Sequence, residues 1–218
     1  MTSGGIVGIV PIRSLTGGKT RLAEAVSPRM REEFVRRMLL GVLAAIHESR
    51  ALSAVAVVSP DRDALTLAAG AGAVPVEQDS ARPGLNAAID IGRRWAEERG
   101  AGAMLVLFGD LPLLTGDDVR NLVRRDAPLV LAPDRHGAGT NALLLRLGDS
   151  AEGHRFRFHY GYESYANHVD EAHRLGLEVT TSIAPGTTLD LDTPDDLRLL
   201  GWEAGAEFRH ATSEVEVA

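Results

Sequence analysis

A chain of 218 residues with 44% hydrophobic and 24% charged residues can bury a substantial core, which excludes a disordered or fibrous protein. Cysteine is absent, which excludes disulfides and thiolate metal sites. The net charge is −7, yet residues 1–40 carry seven basic and only three acidic residues. This distribution argues against a nucleic-acid partner and favours a local positive site for a small anion.

The first apolar stretch, residues 6–12, is far too short to span a bilayer. No charged and apolar signal region precedes it. The sequence therefore predicts a cytoplasmic protein with no membrane partner.

Six short apolar runs alternate with helical patterns along the chain. Such alternation is typical of an α/β fold with a mostly parallel central sheet and helices on both faces. No repeat or linker divides the chain, so we expect a single domain over residues 1–202 and a flexible tail over 203–218. The predicted strands are residues 6–12, 54–58, 74–77, 103–108, 129–132 and 142–147.

The helices are predicted from periodicity and start signals. Apolar residues recur at helical spacing between residues 30 and 46, with Ser27 as N-cap and Pro28 at the first helical position. Similar signals predict helices that open at Ser59-Pro60 and at Thr115, and another over residues 85–99. Residues 154–165, rich in aromatic, His and Arg residues, interrupt this alternation, and we expect a flap or the contact of a homodimer there.

A Gly-Gly-Lys loop follows the first predicted strand. In an open parallel sheet, ligands bind at the carboxyl ends of the strands, where Gly17 and Gly18 let backbone N–H groups approach a phosphate. Lys19, the only lysine beside 22 arginines, supplies a compact charge for the triphosphate, together with Arg13 and Arg21. A Walker A loop would need glycine where Arg13 stands, which disfavours a P-loop kinase. The glycines alone could also form a simple turn.

Aspartates follow two hydrophobic segments. Asp110 lies directly after the fourth predicted strand, either as a metal ligand or as a turn residue. Asp190 and Asp192 are two residues apart, so they share one face of an extended segment, and two like charges on one face favour a bound cation. Thr193 and Asp196 read instead as the N-cap and N3 of a final helix.

Magnesium suits these three carboxylates because it takes oxygen ligands and also binds substrate phosphates. The histidines show no spacing typical of a zinc site, and HExxH does not occur. A serine hydrolase is disfavoured because the sequence lacks Gly-x-Ser-x-Gly.

Seven segments, in order over about residues 6–200, resemble the nucleotidyltransferases of coenzyme F420 biosynthesis, which activate 2-phospholactate or phosphoenolpyruvate with GTP. Each segment is weak alone, but the series is specific. The matching segments are residues 10–13, 18–22, 84–88, 109–112, 139–143, 158–164 and 189–193.

The resemblance implies a compact Rossmann-like nucleotidyltransferase fold of the glycosyltransferase-A kind, with magnesium as cofactor and GTP as substrate. Asp110, Asp190 and Asp192 match the metal-binding carboxylates of the family. Gly84 and Asn86 match its nucleotide-binding segment, and Asn86 is expected to face the nucleoside. The positions that hold the phosphorylated three-carbon acid are matched by Thr140, Gly161 and Ser164.

Two alternatives stay open at this point. A related nucleotidyltransferase could use another acceptor, such as 3-phosphoglycerate, a sugar phosphate or molybdopterin, on the same architecture. A protein that binds nucleotide without turnover is the non-enzymatic alternative. Residues 156–161 are bulkier and more cationic than the loop expected for the family, so the acceptor acid is not determined.

Overall fold

A computed structural model describes residues 4–79, 81–147 and 151–202 of the chain. Its strands form one seven-stranded sheet with the order β3-β2-β1-β4-β6-β5-β7. All neighbours pair in parallel except β6, which is antiparallel to both β4 and β5. The strands are β1 (Ile6–Pro11), β2 (Ala54–Ser59), β3 (Val74–Glu77), β4 (Ala103–Leu107), β5 (Leu129–Pro133), β6 (Thr140–Arg146) and β7 (Val179–Thr181).

Helices connect these strands and cover the sheet. A short 3₁₀ turn, Thr20–Leu22, lies between β1 and the first long helix. The helices are α1 (Pro28–Ser49), α2 (Arg62–Gly70), α3 (Leu85–Glu98), α4 (Gly116–Val123), α5 (Ala151–Arg155), α6 (Ser164–Leu175), α7 (Pro185–Thr188) and α8 (Pro194–Leu199). No helix in the described ranges is long and apolar enough to cross a membrane.

The core lies on both faces of the sheet because successive strand residues point to opposite sides. Val10 joins the cluster that α1, α2 and α4 cover, whereas its neighbour Ile9 joins the cluster under α3 and α6. Both side chains are fully buried. The predicted α/β architecture with a mostly parallel sheet and helices on both faces is therefore confirmed.

The predicted strands all occur, with ends within two residues of the structure. Strand β7 was not predicted, because Val179–Thr181 has only three residues and two are threonines. The helix expected to open at Ser59-Pro60 begins later. Ser59 is the last residue of β2, and the N-cap of α2 is Asp61, whose carboxylate accepts from the Asp63 and Ala64 N–H groups.

The aromatic segment 154–165 packs within its own chain. Phe156, Phe158 and Tyr160 are buried against the α3 and α6 face of the sheet. The expectation that this segment forms a flap or a subunit contact is wrong for these three side chains, because the sheet of the same chain covers them. A homodimer and the single domain over residues 1–202 stay predictions, and the predicted flexible tail, residues 203–218, lies outside the described residues.

Helix α3 approaches the sheet closely at Gly92. A Cβ atom at this position would lie 2.4 Å from Ile9 Cγ2, whereas one at Gly41 of α1 would meet nothing within 4 Å. We expect Gly92→Ala to lower the free energy of unfolding by about 1–3 kcal/mol, because overpacking outweighs the gain in helix propensity. Urea unfolding measures this. The matched Gly41→Ala variant is expected to gain about 0.5–1 kcal/mol, and equal changes in both variants would contradict the close packing.

Candidate active site

The predicted site residues gather at one edge of the sheet. Strands β1, β2 and β4 are parallel, so their carboxyl ends meet there. Strand β6 runs antiparallel to β4, with Leu107 opposite Ala142, which brings the start of β6 to the same edge. The loop after β1, Asp110 after β4 and Thr140 at the start of β6 therefore share one face of the molecule.

The loop from Arg13 to Arg21 is anchored to the start of α2. Asp61 Oδ2 accepts hydrogen bonds from Ser14 Oγ at 2.8 Å and from the Leu15 N–H at 2.9 Å. Burial alone would raise the pKa of Asp61, but these bonds and those within α2 hold it below its usual value. Asp61 therefore stays negatively charged and holds the loop in place.

Lys19 is the centre of the site. Its backbone adopts the left-handed conformation, with φ 54°, directly after the two glycines. Its ammonium donates to Asp110 Oδ2 and, at 2.7 Å, to Asp192 Oδ1. Arg21 lies at the margin, with Nη1 3.9 Å from Asp192 Oδ2 and a side chain 75% exposed.

Charge explains how this buried lysine stays ionised. Burial disfavours the ammonium, but the carboxylates of Asp110 and Asp192 outweigh that effect and raise the pKa of Lys19 above its usual value. The lysine is therefore a permanent cation between two carboxylates. Such a point charge is suited to phosphate oxygens.

A small hydrophobic cluster brings the two distant segments of this site together. Leu22 follows the glycine loop, and Leu191 lies between Asp190 and Asp192; both are fully buried in one cluster with Phe34 of α1. The Leu191 N–H also donates to the backbone oxygen of Asp110 at 3.2 Å. Packing of two leucines thus places Lys19 opposite Asp192.

The third aspartate is electrostatically coupled to the other two. Burial, followed by the negative charges of Asp110 and Asp192, raises the pKa of Asp190 to about 6. Asp110 Oδ1 is buried and has no hydrogen-bond partner in the described part of the chain. Within the described ranges of the chain, no three His, Cys, Asp or Glu side chains lie close enough together to form a ready-made metal-binding group. Lys19 instead lies between Asp110 and Asp192.

Asp192 is itself held by α8. Asp196, 2% exposed, accepts hydrogen bonds through Oδ2 from the N–H groups of Asp192 and Thr193, at 2.9 and 2.6 Å. Its other oxygen forms an ion pair with Arg135 of the β5–β6 loop. The predicted cap of Thr193 and Asp196 is present as a capping box, and it also supports the backbone of Asp192.

Two neighbouring cavities lie at this edge of the sheet, and the smaller one adjoins the cluster. The smaller, about 230 Å³, is lined by Gly18, Lys19 and Asp110, and the larger, about 540 Å³, by Gln78, Asp79, Gly84 and others. Arg13 lines both, as do Pro11, Ile12 and Leu85. Gly17 is exposed on the loop and lines neither. The larger volume is within the usual range of a small-molecule site.

Asn86 joins two loops. Its Nδ2 donates to the Tyr160 oxygen at 3.0 Å, and its Oδ1 accepts from the Tyr160 N–H at 2.8 Å. Both polar ends of its side chain hold the backbone of Tyr160, and the expectation that Asn86 faces the nucleoside stays a prediction. This contact fixes the loop that leads to Gly161 and Ser164 against the start of α3.

Two of the three residues predicted to hold the acceptor acid are in direct contact, and the third lies in a nearby loop. Thr140 and Ser164 are buried, and Ser164 Oγ donates to Thr140 Oγ1 at 3.4 Å. Gly161 lies in the exposed loop between them with φ 134°, a conformation open to glycine and rare for other residues. Tyr160 connects this loop to the smaller cavity, since its ring centroid is 5.2 Å from that of Phe108.

Several residues of this site were not predicted from the sequence. Asp61 carries only the signal of a helix N-cap, and nothing in the sequence shows that it anchors a loop 46 residues away. Gln78 donates to the Arg82 and Gly84 oxygens and so shapes the wall of the larger cavity. These contacts depend on the tertiary structure, so no local pattern identifies them.

Comparisons with known proteins agree with this arrangement. The family model described as guanylyl transferase CofC like matches residues 6–203. The phosphoenolpyruvate guanylyltransferase of Sphaerobacter thermophilus is 37% identical over 91% of this chain and 93% of its own. The 2-phospho-L-lactate guanylyltransferase of Methanothermobacter thermautotrophicus is 34% identical over 87% of this chain and 81% of its own. A solved structure of a nucleotidyl transferase from Methanothermobacter superposes with a TM-score of 0.62 at 14% identity. The superposition covers 90% of this chain and 95% of the other.

Proposed function

The chain belongs to the family of CofC-like guanylyl transferases, and we propose that it transfers GMP from GTP to phosphoenolpyruvate or 2-phospho-L-lactate, releasing pyrophosphate. The observation that carries this proposal is the cluster of Lys19, Asp110 and Asp192, because Lys19 and Asp110 line the smaller of two neighbouring cavities. Within the proposal, the reaction is a step of coenzyme F420 biosynthesis in the cytoplasm.

The cavities suggest how GTP binds. The nucleoside is assigned to the larger cavity, between Gln78, Asp79 and Gly84, and the phosphates to the smaller one beside Gly18 and Lys19. Arg13 lines both cavities, so its guanidinium can reach the phosphates from the nucleoside side. Arg21 is exposed and adds positive charge at the margin.

The chemistry proposed is an in-line displacement. A phosphate oxygen of the acid forms a bond to the α-phosphorus of GTP as the bond from that phosphorus to the bridging oxygen of the β-phosphate breaks. Pyrophosphate leaves, and a guanylyl diphosphodiester is formed. A phosphate dianion is already nucleophilic, so no general base is required. Positioning and charge neutralisation by Lys19, Arg13 and Arg21 are then the main contributions of the protein.

Magnesium is proposed as the cofactor, and the residues present fit it. Asp110 Oδ1 is a buried carboxylate oxygen that lacks a hydrogen-bond partner within the described ranges. A ready-made group of three ligands is not needed, because Mg²⁺ commonly binds through one or two carboxylates, several waters and the substrate phosphates. Held by Asp110, Asp190 and Asp192, the ion would neutralise charge on the reacting phosphates.

Pyrophosphate release tests the proposal. The protein is incubated with Mg²⁺ and GTP together with phosphoenolpyruvate, 2-phospho-L-lactate, 3-phosphoglycerate or a sugar phosphate in turn. We expect release with one of the first two acids and none with GTP alone. Release only with a sugar phosphate would replace the proposed acceptor, and GTP binding without release for any acceptor would support the non-catalytic alternative.

The anchor of the glycine loop gives a further prediction. Asp61→Asn replaces one carboxylate oxygen by an NH₂ group, which cannot accept a hydrogen bond. With the remaining oxygen capping α2, the loop loses the acceptor for Ser14 and Leu15. We expect the KM for GTP to rise about tenfold, the equivalent of one lost hydrogen bond to a charged group. Initial rates at varied GTP measure this. Asp63→Asn, an exposed change in the first turn of the same helix, is the control and is expected to leave that KM unchanged.

A further inference from the structure

A buried histidine lies behind the residues proposed to hold the acceptor acid. His168 of α6 is fully buried, and its Nδ1 is 3.0 Å from Thr140 Oγ1. Its Nε2 accepts a hydrogen bond from the backbone N–H of His159, also at 3.0 Å. One imidazole ring therefore connects the start of β6 to the loop that contains Gly161.

The contacts determine where the ring carries its proton. A ring nitrogen that accepts from a backbone N–H cannot itself carry a proton, so Nε2 is the unprotonated nitrogen. Burial, followed by the nearby His159, lowers the pKa of His168 to about 3, so the ring is neutral at neutral pH. The proton of a neutral ring is then on Nδ1, which donates to Thr140.

This tautomer has a consequence for Thr140. A threonine hydroxyl accepts up to two hydrogen bonds and donates one. Thr140 Oγ1 accepts from His168 Nδ1 and from Ser164 Oγ, so its own hydrogen must find an acceptor elsewhere. A phosphorylated acid presents only acceptors, namely carboxylate and phosphate oxygens, and a buried donor left without one is costly.

We infer that His168 is a positioning residue for the acceptor acid, because it holds the Thr140 hydroxyl as a hydrogen-bond donor toward that acid. The inference deepens the proposed function and rests on it. His168 does not contact the reacting atoms; it acts through Thr140, and through the His159 backbone it also holds the loop in place.

Two substitutions separate the two contacts of the ring. The amide nitrogen of Asn lies near the position of Nδ1, so His168→Asn keeps a donor for Thr140 and loses the contact with His159. The amide of Gln reaches the position of Nε2, so His168→Gln keeps an acceptor for His159 and loses the donor. His173→Gln, an exposed change on the same helix, is the control.

Steady-state kinetics with GTP and phosphoenolpyruvate or 2-phospho-L-lactate, whichever the wild type uses, tests the inference. We expect His168→Gln to raise the KM for the acid about tenfold, while His168→Asn and the control change it less than threefold. The KM for GTP is expected to stay within twofold in all three variants, which also shows that they are folded. Equal effects of Asn and Gln, or a parallel rise in the KM for GTP, would overturn the inference.

Nitrogen-15 NMR of the wild-type imidazole gives a readout that does not depend on activity. We expect the His168 proton on Nδ1 at neutral pH, and a proton on Nε2 or a charged ring would overturn the inference. If the wild type transfers GMP to no acid although the Nδ1 proton is observed, the proposed function fails. The assignment of Thr140 to an acceptor acid then fails with it, while the tautomer stands as a separate result.

Discussion

Asp110→Asn is expected to lower kcat for GMP transfer by about 10²–10³-fold, the usual effect of removing one charge-stabilising group from an active site. Asp110 is the carboxylate at the carboxyl end of β4, and its two oxygens have different surroundings. Oδ2 accepts from Lys19, whereas Oδ1 is buried without a hydrogen-bond partner in the described part of the structure. Asn keeps the size of the side chain but removes the charge that pairs with Lys19 and that the proposed Mg²⁺ would need.

The rate of pyrophosphate release at saturating GTP and acid measures this effect. Asp117→Asn is the matched control, because Asp117 lies on α4 with its side chain 81% exposed and forms an ion pair with Arg120 of the same helix. We expect the control to keep the wild-type rate. A rate within twofold of wild type for Asp110→Asn would exclude Asp110 from the catalytic machinery.

Lys19→Met is expected to lower kcat/KM by about 10³-fold, at the lower end of what one cationic side chain contributes to phosphoryl transfer. The ammonium is the one group that contacts both Asp110 and Asp192 in the described residues. Methionine has a similar length without the charge. Lys19→Arg restores a charge in a planar form that fits a point-charge site less well, so we expect it to recover only part of the loss.

The same variant tests the metal site without an activity measurement. In Lys19→Met, the carboxylates of Asp110 and Asp192 face each other with their shared cation removed, so a divalent ion has no ammonium to compete with. We expect the Tm of Lys19→Met to rise with Mg²⁺ by several degrees more than that of the wild type. Equal Mg²⁺ effects on the two proteins would contradict metal binding between these carboxylates.

The sequence predicts the sheet well because its signals are local. Strands that are buried on both faces are nearly continuous apolar runs, and six of the seven strands, including the antiparallel β6, occur where apolar runs lie. The Thr193 and Asp196 cap was predicted for the same reason, since a capping box is complete within four residues. Strand β7 was missed because two of its residues are only half buried and the third is exposed, and they belong to the sheet through pairing with β5.

The site is predicted less completely because its contacts join distant segments. The glycine loop, Asp110 and the Asp190 and Asp192 pair each carry a local signal, and the structure brings them together. The contact of Asn86 with the Tyr160 backbone was not predicted, because the two residues are 74 positions apart. His168 carries no signal in the sequence, since an isolated histidine on a helix is most often structural.

The most direct test follows the oxygen atoms of the reaction. The acceptor acid, labelled with ¹⁸O in the nonbridging oxygens of its phosphate, is incubated with GTP, Mg²⁺ and the protein, and the products are analysed by mass spectrometry. If the acid attacks the α-phosphorus, all the label stays in the guanylyl diphosphodiester and the pyrophosphate carries none. Labelled pyrophosphate, or no guanylylated product from either phosphoenolpyruvate or 2-phospho-L-lactate, would contradict the proposed reaction.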